Sequence, residues 1–443
     1  MSFPAYPEYK DSGVPWLGQV PAHWQISRIK EQFEIRKRIA GELGHDVLSI
    51  TQSGLRVKDI ESNEGQQAMD YSKYQLVYPG DFAMNHMDLL TGWIDIAHQP
   101  GVTSPDYRVF ASRFPDKIDA RFSLRAFQMA YSARQFYPFG QGSSQLGRWR
   151  LPTDAFYAFP IPNPPVVEQQ AIAAFLDRET AKIDALVVEQ ERLIALLKGK
   201  RQAVISHAVT KGLNPDAPMK DSGIEWLGEI PAHWEVLRFK HIGDAITGLT
   251  YSPDDVVAED GTLVLRSSNV QSGKIALGDN VYVNLKPPEA LMVQPNDILV
   301  CSRNGSRALI GKNAMLTNDH VGMTWGAFMT VFRSSMPRWS FWVLNSEIFE
   351  HQSSTFLTAT INQLTIGNFL SMTGPFPPSD EQAEIDQHLT ERTEELDRLV
   401  AEARSAIALL QERRAALISA AVTGKIDVRG LVDAPAPAAL ETA

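Results

Sequence analysis

Cysteine is nearly absent from this 443-residue chain. Its single cysteine, Cys301, excludes an internal disulfide and a cysteine-based metal cage. Long apolar runs are absent as well, because no segment approaches the roughly 18 consecutive apolar residues of a membrane span. The N-terminal residues, Met1–Glu8, lack the basic-then-apolar order of a secretory signal peptide. We therefore expect a soluble cytoplasmic protein.

An excess of positive charge is also missing. The formal net charge at pH 7 is −10, and the acidity is concentrated in the second half of the chain. Residues 379–443 carry 13 acidic and 7 basic residues, whereas residues 1–165 carry 17 of each sign. Affinity for nucleic acid depends on local neutralisation of phosphates rather than on total charge. A nucleic-acid-binding role is therefore not excluded, but we expect weak binding by the chain alone and a basic partner.

The length of the chain predicts more than one domain, because one core rarely grows beyond about 250–300 residues. The composition is that of a globular protein, with 44% hydrophobic and 21% charged residues. Two or three domains are expected, and internal repeats indicate where they lie.

A 22-residue segment occurs twice. Residues 9–30 read YKDSGVPWLGQVPAHWQISRIK and residues 219–240 read MKDSGIEWLGEIPAHWEVLRFK, with 13 of 22 positions identical. We name these segments frame 1 and frame 2. Both contain Lys-Asp-Ser-Gly, Trp-Leu-Gly and Pro-Ala-His-Trp. Chance does not produce such agreement, so the chain contains two copies of one structural unit.

A second repeat follows each globular stretch. The segment PVVEQ begins at Pro165 and the segment PSDEQ begins at Pro378. Downstream, apolar residues alternate at spacings of four and three, which predicts two long helices in a coiled coil. The predicted seam consists of Ile172, Leu176, Ile183, Leu186, Leu193, Leu197 and Val204 in one helix, and Ile385, Leu389, Leu396, Leu399, Ala406, Leu410 and Leu417 in the other. Gly212 and Gly424 are expected as C-terminal caps.

The shared seam predicts an antiparallel pairing of these helices, with equivalent midpoints near Gln190 and Ala403 opposite each other. Opposite charges would then meet at both ends, whereas a parallel pairing would set Lys200 beside Arg413. The predicted pairs are Glu179 with Arg413 or Arg414, and Lys200 or Arg201 with Glu391 and Glu394.

The stretches between these marks combine short β-type runs, such as residues 47–50 and 263–265, with Gly, Asn, Ser and Pro turns. The predicted fold class is α/β (mixed): two globular domains joined by two long helices in an antiparallel coiled coil, with a pseudo-twofold internal repeat. The predicted segments are domain 1 (1–165), a central helix (166–212), domain 2 (213–378), a C-terminal helix (379–425) and a disordered tail (426–443). Frames that repeat around diverging domains suit two different recognition surfaces.

These features resemble the specificity subunit of type I restriction–modification systems over nearly the whole chain. The resemblance rests on the doubled K-D-S-G-x-x-W-L-G-x-x-P-x-H-W segment, the doubled P-x-x-E-Q helix start and the INQLTI sequence at Ile361–Ile366. It implies that both domains are target-recognition domains, each reading one half of a split, asymmetric site in double-stranded DNA. Domain 1 departs from the pattern, because residues 144–150 read SQLGRWR in place of the Ile-Asn-Gln-Leu form.

The same resemblance implies a non-catalytic subunit of a larger complex. Its two helices would set the distance between the domains and dock two methyltransferase (modification) subunits, which methylate adenine N6. Two motor-nuclease (restriction) subunits can join such a complex. No cofactor is expected on this chain, because S-adenosylmethionine, ATP and Mg²⁺ would be bound by the partner subunits.

Three fragments look catalytic but depart from the motifs. The segment NPPV at Asn163 lacks the aromatic residue with which adenine methyltransferases stack the flipped base, and is interpreted as a proline stop before a helix. Residues 305–313 resemble a P-loop but have five residues between the glycines and lack the magnesium-binding Ser or Thr. Residues 140–147 lack the glycine spacing of a dinucleotide fingerprint. We therefore predict no catalytic residue.

Polar and basic loop clusters are the candidates for DNA contact, because amides suit adenine edges and guanidinium groups suit guanine or phosphate. In domain 1 they are Gln141, Ser143, Ser144, Gln145, Arg148 and Arg150, and Arg56 and Lys58 with Ser53, Asn85 and His86 form secondary clusters. In domain 2 they are Arg266, Ser268, Asn269, Arg303, Asn304, Ser306, Arg307, Thr360, Asn362 and Gln363. Ordinary solvated loops are the alternative for any single residue.

The frames themselves are expected to be structural. His23 and His233 occupy identical positions in the two frames, which favours a structural role over metal binding, and no metal ligand is predicted. The four frame tryptophans, Trp16, Trp24, Trp226 and Trp234, are expected to pack in cores rather than to stack on bases.

Two other function classes stay open. A structural coiled-coil adaptor that binds only proteins would explain the helices, but not the paired frames around divergent domains. A self-contained methyltransferase or nuclease would need an intact catalytic motif. Co-purification separates these classes, since the specificity subunit predicts a methyltransferase partner at two copies per chain.

Overall fold

The computed structural model describes residues 3–60, 68, 70–142, 149–356 and 362–431. The chain divides into two compact units: unit 1 comprises Met1–Glu189 and Ala406–Ala443, and unit 2 comprises Gln190–Ser405. Both divisions fall within the long helices, so each unit consists of one globular domain and parts of both helices. None of the described helices combines the length and apolar content needed to cross a membrane.

The first half of the chain contains twelve strands and four helices within the described residues. The strands are β1 (Tyr9–Asp11), β2 (Gln19–Pro21), β3 (Gln25–Arg28), β4 (Phe33–Ile35), β5 (Leu48–Thr51), β6 (Gly54–Val57), β7 (Gln75–Val77), β8 (Phe82–Met84), β9 (Ile94–Ile96), β10 (Gly101–Thr103), β11 (Arg108–Ser112) and β12 (Pro160–Asn163). The helices are α1 (Ile29–Gln32), α2 (Ala120–Ser132), α3 (Thr153–Ala158) and the long α4 (Val166–Lys211).

The second half follows the same general order, and its described part adds fourteen strands and four helices. The strands are β13 (Met219–Asp221), β14 (Glu229–Pro231), β15 (Glu235–Arg238), β16 (Gly243–Thr247), β17 (Val256–Val257), β18 (Thr262–Leu265), β19 (Val270–Gln271), β20 (Lys274–Ile275), β21 (Tyr282–Val283), β22 (Ile298–Cys301), β23 (Asn313–Met315), β24 (Thr324–Trp325), β25 (Met329–Ser334) and β26 (Thr373–Phe376). The helices are α5 (Pro337–Leu344), α6 (Glu347–Phe356), α7 (Ile366–Ser371) and the long α8 (Ser379–Val422).

Each unit is built around a four-stranded antiparallel sheet. The strand order is β4-β11-β8-β9 in unit 1 and β16-β25-β22-β23 in unit 2, so equivalent strands occupy equivalent places. The inner strands β8 and β22 are buried at every residue, as continuous apolar runs favour. The predicted mixed α/β fold class is confirmed.

Aromatic side chains hold helices against these sheets. In unit 1, Phe33, Phe82, Phe110 and Phe127 form one cluster with ring centroids 5.1–5.8 Å apart. Phe127 lies on α2 and the other three lie on the sheet, so the cluster fixes the helix to the sheet. Each fully buried phenylalanine stabilises the fold by about 1.5–3 kcal/mol. The loops that leave the inner strands therefore start from a rigid base.

The two sequence repeats meet in each unit at what we call the frame joint. In unit 1 the buried carboxylate of Glu168, in the helix start, accepts hydrogen bonds from the Trp24 indole (3.0 Å) and the Tyr6 hydroxyl, and lies 2.8 Å from Nε2 of His23. In unit 2 the Glu381 carboxylate lies 2.9 Å from the indole nitrogen of Trp234 and 2.7 Å from Nε2 of His233. Both histidines therefore occupy the structural place predicted for them.

The C-terminal end of the other long helix completes each joint. Gly212 (φ +73°) and Gly424 (φ +70°) adopt the left-handed conformation of C-terminal glycine caps, as predicted. A Cβ atom on Gly424 would lie 2.3 Å from Cδ of Pro21, so a side chain would also collide with frame 1. In unit 2, Nζ of Lys211 donates to the Glu229 carbonyl at 2.5 Å, which ties the helix end to frame 2.

The long helices run antiparallel. In unit 2, Arg201 of α4 pairs with Asp397 of α8 at 3.2 Å. Further along α4, Ile205 and Val209 share a core with Ile385 and Leu389. The residue number thus rises along α4 as it falls along α8, and the predicted orientation is confirmed.

The predicted register of this pairing is wrong by about five residues. In unit 1, Arg414 pairs with Asp184 at 3.0 Å rather than with Glu179. Glu179 instead accepts hydrogen bonds from Arg178 (3.0 Å) and Lys182 (2.8 Å) of its own helix. Each exposed ion pair contributes only about 0.2–1 kcal/mol, so charge matching alone does not select one register.

The residues of the predicted seam are buried near the two domains and exposed in the middle of the helices. Ile172, Leu176, Ile385 and Leu389 are fully buried, whereas Leu186, Leu193 and Leu399 are exposed. A straight helix drifts by about 20° per heptad relative to an exact 3.5-residue repeat, so a strict seam does not stay at the contact. Ala403, outside the predicted seam, is buried instead.

The segment after α8 belongs to the core of unit 1. Val428 is fully buried, and the backbone N–H of Asp427 donates to the Pro4 carbonyl at 2.7 Å. The Arg429 guanidinium lies 4.8 Å from the centroid of the Tyr6 ring. Residues 426–431 were predicted as part of a disordered tail. This prediction is wrong, because their apolar residues pack into the core of unit 1. Residues 432–443 lie outside the described residues.

Three of the four frame tryptophans pack as predicted. Trp24 and Trp234 are fully buried, and Trp16 is half-buried with its ring stacked on Phe159 at 5.6 Å. The prediction is wrong for Trp226, which is 36% exposed. Its ring stacks at 5.0 Å on His351, which is itself exposed, so it is covered on one side only.

We expect Glu168→Ala to destabilise the chain more than the matched change Glu381→Ala. Glu168 is buried and accepts hydrogen bonds from three aromatic side chains, whereas Glu381 is partly exposed and accepts hydrogen bonds from two. Since a hydrogen bond to a charged group contributes about 1.5–3 kcal/mol, the losses should be about 3–5 kcal/mol for Glu168→Ala and about 1–3 kcal/mol for Glu381→Ala. Urea unfolding measures both, and equal losses would contradict the importance of burial.

We also expect cysteines introduced at positions 201 and 397 to be joined by a short bis-maleimide cross-linker, because these positions face each other in unit 2. The matched control pair is 201 and 391, which the register predicted from the sequence places together. Six residues displace the partner by about 9 Å along the helix, so this pair should link poorly. Peptide mapping gives the yields, and preferential linking of 201 to 391 would refute the observed register.

Candidate nucleic-acid interface

Three segments of domain 2 that are far apart in sequence come together in unit 2. Nδ2 of Asn304 donates to Oγ of Ser267 at 3.1 Å, and the backbone N–H of Asn304 donates to the Asn362 carbonyl at 3.3 Å. Nδ2 of Asn362 donates to the Gly305 carbonyl at 3.0 Å. The structure therefore joins residues 266–269, 302–307 and 362–363 into one surface, which we call the domain 2 loop surface.

The sheet determines where this surface lies. Strand β22 ends at the buried Cys301, and the chain turns out of the sheet at Ser302. The backbone N–H of Leu364 donates to the Ser302 carbonyl at 2.8 Å, and Arg303 pairs with Gln363 in an antiparallel bridge. The end of an inner strand is thus tied to the segment that precedes α7.

The domain 2 loop surface carries cations without carboxylate partners. Among the described residues, Arg303, Arg307 and Lys312 form no ion pair. Arg303 is exposed with its guanidinium 5.1 Å from the centroid of the Phe328 ring, and Arg307 donates to the Ser354 carbonyl at 3.1 Å. Nζ of Lys312 donates to the Ser267 carbonyl at 3.1 Å. Local positive charge is therefore present despite the negative net charge of the chain.

Other residues of this surface that were predicted to contact DNA already form hydrogen bonds or ion pairs within the protein. Arg266 pairs with Asp279 at 2.9 Å. Asn269 is fully buried; its side-chain oxygen accepts from the Arg266 backbone and its Nδ2 donates to the carbonyls of Ala276 and Asp279. Asn269 therefore shapes the loop instead of facing solvent. Ser268 is half-buried, and its Oγ is buried without a hydrogen-bond partner in the described part of the chain. Ser306 is exposed. Thr360 lies outside the described residues.

Domain 1 has a loop pair at the same topological position. The backbone N–H of Leu151 donates to the His86 carbonyl at 2.9 Å, as Leu364 does to Ser302 in unit 2. His86 follows the inner strand β8 as Ser302 follows β22, and Leu151 precedes α3 as Leu364 precedes α7. The departure from the Ile-Asn-Gln-Leu form therefore leaves the backbone connection unchanged, although the side chains differ.

Gln141 and Arg150 stand at the base of the connection before α3. Their backbones form two hydrogen bonds, of 2.8 and 3.0 Å, and both residues are exposed. Four predicted members between them, Ser143, Ser144, Gln145 and Arg148, lie outside the described residues. Arg56 is exposed on β6 opposite Ser49, and Lys58 follows that strand. No hydrogen bond within the described part of unit 1 joins Arg56 to the Gln141–Arg150 pair.

Arg108 lies behind the domain 1 loops and was not among the functional residues predicted from the sequence. Arg108 is buried, its Nη2 donates to the Leu151 carbonyl at 2.9 Å, and its guanidinium lies 4.5 Å from the centroid of the Phe156 ring. Burial lowers the pKa of Arg108 to about 10, so it stays charged at neutral pH. Its position inside a β-strand gave no sign of this role.

His86 is neutral at physiological pH. Burial first, and then the charges of Arg108 and Arg150, lower its pKa to about 3. Its Nδ1 is buried without a hydrogen-bond partner among the described residues. His86 therefore adds no positive charge to that of Arg108 and Arg150 beside it.

The fragments that look catalytic take other structures. The P-loop-like segment leads into strand β23 rather than into a helix, and Asn313 is buried with its amide bonded to the carbonyls of Gly311 and Leu344. Residues 163–165 lead directly into α4, which begins at Val166, and the prediction of a proline stop before that helix is confirmed.

No protein-family model matches the chain. Among curated proteins, it is similar to the EcoKI specificity subunit of Escherichia coli K12, a type I restriction enzyme subunit. The two are 27% identical over 210 residues, which cover 45% of this chain and 44% of that protein. It is also 26% identical over 284 residues to the MjaVIII specificity subunit of Methanocaldococcus jannaschii, covering 61% and 63% of the two chains. The matches therefore span less than two thirds of either relative.

A solved structure shows a similar fold. One chain of a type I restriction–modification system, studied for its complex assembly and conformational transition, covers 91% of this chain and 98% of its own length with a TM-score of 0.67. Its sequence identity of 14% means that this likeness concerns the fold alone. The resemblance predicted from the doubled frames and helix starts is thus confirmed: the sequence relatives of this chain are specificity subunits of type I restriction enzymes, and it shares the fold of a solved chain of such a system.

Proposed function

We propose that the chain is the non-catalytic, DNA-recognising subunit of a type I restriction–modification complex. The observation that carries this proposal is the convergence of residues 266–269, 302–307 and 362–363 into one surface, where Arg303 and Arg307 form no ion pair with any residue that the structure describes. The matching backbone connection between His86 and Leu151 in unit 1 supports a second surface of the same kind. Two surfaces with different side chains suit a split, asymmetric DNA site.

The side chains present suit both kinds of DNA contact. Arg303 and Arg307 would contact guanine edges or phosphates, and Asn362 and Gln363 would contact adenine edges or the backbone. Arg266 would have to leave Asp279, or contact DNA through its remaining donors. Phosphate contacts orient a protein on the duplex, whereas contacts to base edges provide its sequence preference.

Partners would supply the chemistry and much of the affinity. In this proposal the long helices dock two modification subunits, and restriction subunits can join the complex. S-adenosylmethionine, ATP and Mg²⁺ would be bound by those partners. The net charge of −10 opposes tight binding of DNA by this chain alone, because the excess of carboxylates repels the phosphates, and basic partner subunits would offset this repulsion.

Replacement of residues 241–377 by the corresponding stretch of a foreign specificity subunit should change one half of the methylated motif and leave the other half intact. Each loop surface is built entirely within one unit, which is the physical reason to expect independence. Sequencing of modified bases in cells that carry the chain and its partners reads both halves. A change in both halves would refute independent recognition, and absence of any methylated motif would refute the proposed function.

Arg303→Ala should weaken binding of DNA that carries the site. If Arg303 contacts a guanine, the loss should be about 1–3 kcal/mol and limited to one base position; if it contacts phosphate, the loss should be uniform across sequences. Arg392→Ala is the matched control, because Arg392 is an exposed arginine of unit 2 that pairs with Glu395 on α8. Competition binding with single-base variants measures both changes, and equal effects of the two substitutions would contradict the assignment.

A further inference from the structure

An exposed aromatic ring adjoins the domain 2 loop surface. Phe328 lies in the turn between β24 and β25, and it is 58% exposed. Its carbonyl accepts hydrogen bonds from the backbone N–H groups of Ser302 (3.1 Å) and Arg303 (3.0 Å). A single exposed hydrophobic residue is ordinary on a protein surface, but this one is bonded directly to a segment already assigned to DNA contact.

The backbone of this turn is held firmly. Oγ of Ser302 also donates to the Phe328 carbonyl at 3.1 Å, and the N–H of Met329 donates to the Gly326 carbonyl at 2.8 Å. Trp325 and Met329, on either side of the turn, are buried in one core cluster. A ring carried by such a backbone meets a ligand with little further loss of conformational entropy.

Charge around the ring favours a polyanion as its partner. The Arg303 guanidinium lies 5.1 Å from the ring centroid, and Arg307 and Lys312 lie on the same surface without ion pairs among the described residues. An apolar ring bordered by cations matches DNA, in which flat apolar base faces lie between phosphates. A protein partner with an apolar patch would leave these cations without counter-charges.

We propose that Phe328 contacts base faces in the half-site read by domain 2, inserting at a base step while Arg303 contacts the adjacent base edge or phosphate. This proposal rests on the proposed function. It adds a side chain that responds to how readily two bases unstack, whereas the other residues of the surface contact hydrogen-bonding groups. Apolar side chains inserted in this way partly unstack a step and favour deformable pyrimidine–purine steps. The residue before the equivalent strand in unit 1, Tyr107, is half-buried, and the proposal is therefore limited to the second half-site.

The test starts from the DNA that the wild-type chain selects. Random-sequence duplexes are selected with the full-length chain at low ionic strength, which defines the two half-sites. Binding of the selected duplex is then compared for the wild type, Phe328→Ala, Phe328→Leu and Phe114→Ala. Phe114 is the matched control, because it is 48% exposed in unit 1 and lies outside the loop surfaces.

Phe328→Ala should weaken binding by about 5- to 150-fold, the range expected for losing one aromatic–base stack. Phe328→Leu should retain most of the affinity, because leucine also inserts between bases. Phe114→Ala should bind as the wild type does. A urea-unfolding curve of Phe328→Ala that matches that of the wild type would show that unit 2 of the variant is folded.

A second measurement detects insertion directly. 2-Aminopurine, which pairs with thymine and whose fluorescence rises on unstacking, replaces each adenine of the second half-site in turn, on both strands. The wild type should raise the signal at one step, and Phe328→Ala should abolish that rise. Equal affinities of Phe328→Ala and the wild type, or no unstacked position with the wild type, would overturn the proposal. If the wild-type chain selects no sequence even with its modification subunits present, the proposed function itself fails.

Discussion

A glutamate side chain held by an indole and an imidazole is the contact on which each half of this protein depends. Glu168 and Glu381 stand in the first turn of a long helix, and each is bonded by the His-Trp pair of its own frame. A hydrogen bond to a carboxylate in a water-poor site is stronger than the same bond in water, and the geometry of the partners is correspondingly restricted. The capping glycine of the other helix closes against the same frame, so one cluster fixes two helix ends and the domain.

The loop surfaces are connected to these joints by short stretches of backbone. Strand β12 pairs with β3 of frame 1, and β26 pairs with β15 of frame 2. The segments that carry Arg150 and Gln363 enter those strands through a single short helix, α3 or α7. Side chains in the loops can therefore differ between the two domains while the backbone path that supports them stays the same.

Much of this architecture could be predicted because it is encoded in repeats. The doubled frames and helix starts indicated two like units, and the structure shows why both repeats are needed, since they are the two sides of one joint. The helix register could not be predicted, because charged side chains such as Glu179 have several partners of nearly equal energy, including partners on their own helix. The three loops of domain 2 were identified as polar clusters, but their mutual contacts depend on sheet topology. The exposure of Phe328 and the internal partner of Arg266 depend on tertiary structure, which local sequence does not reveal.

The composition of unit 1 has a consequence for synthesis on the ribosome. Its core contains Trp24 and Phe175 from the early part of the chain, but also Leu417, Val422 and Val428 from the late part. All of unit 2 is made in between. Residues 190–405 separate the two parts of unit 1. At roughly 5–20 residues per second, this stretch takes on the order of 10–45 s to synthesise. During that interval the apolar surface of the nascent N-terminal domain that α8 later covers remains open, so a chaperone that shields it would act before unit 1 is complete.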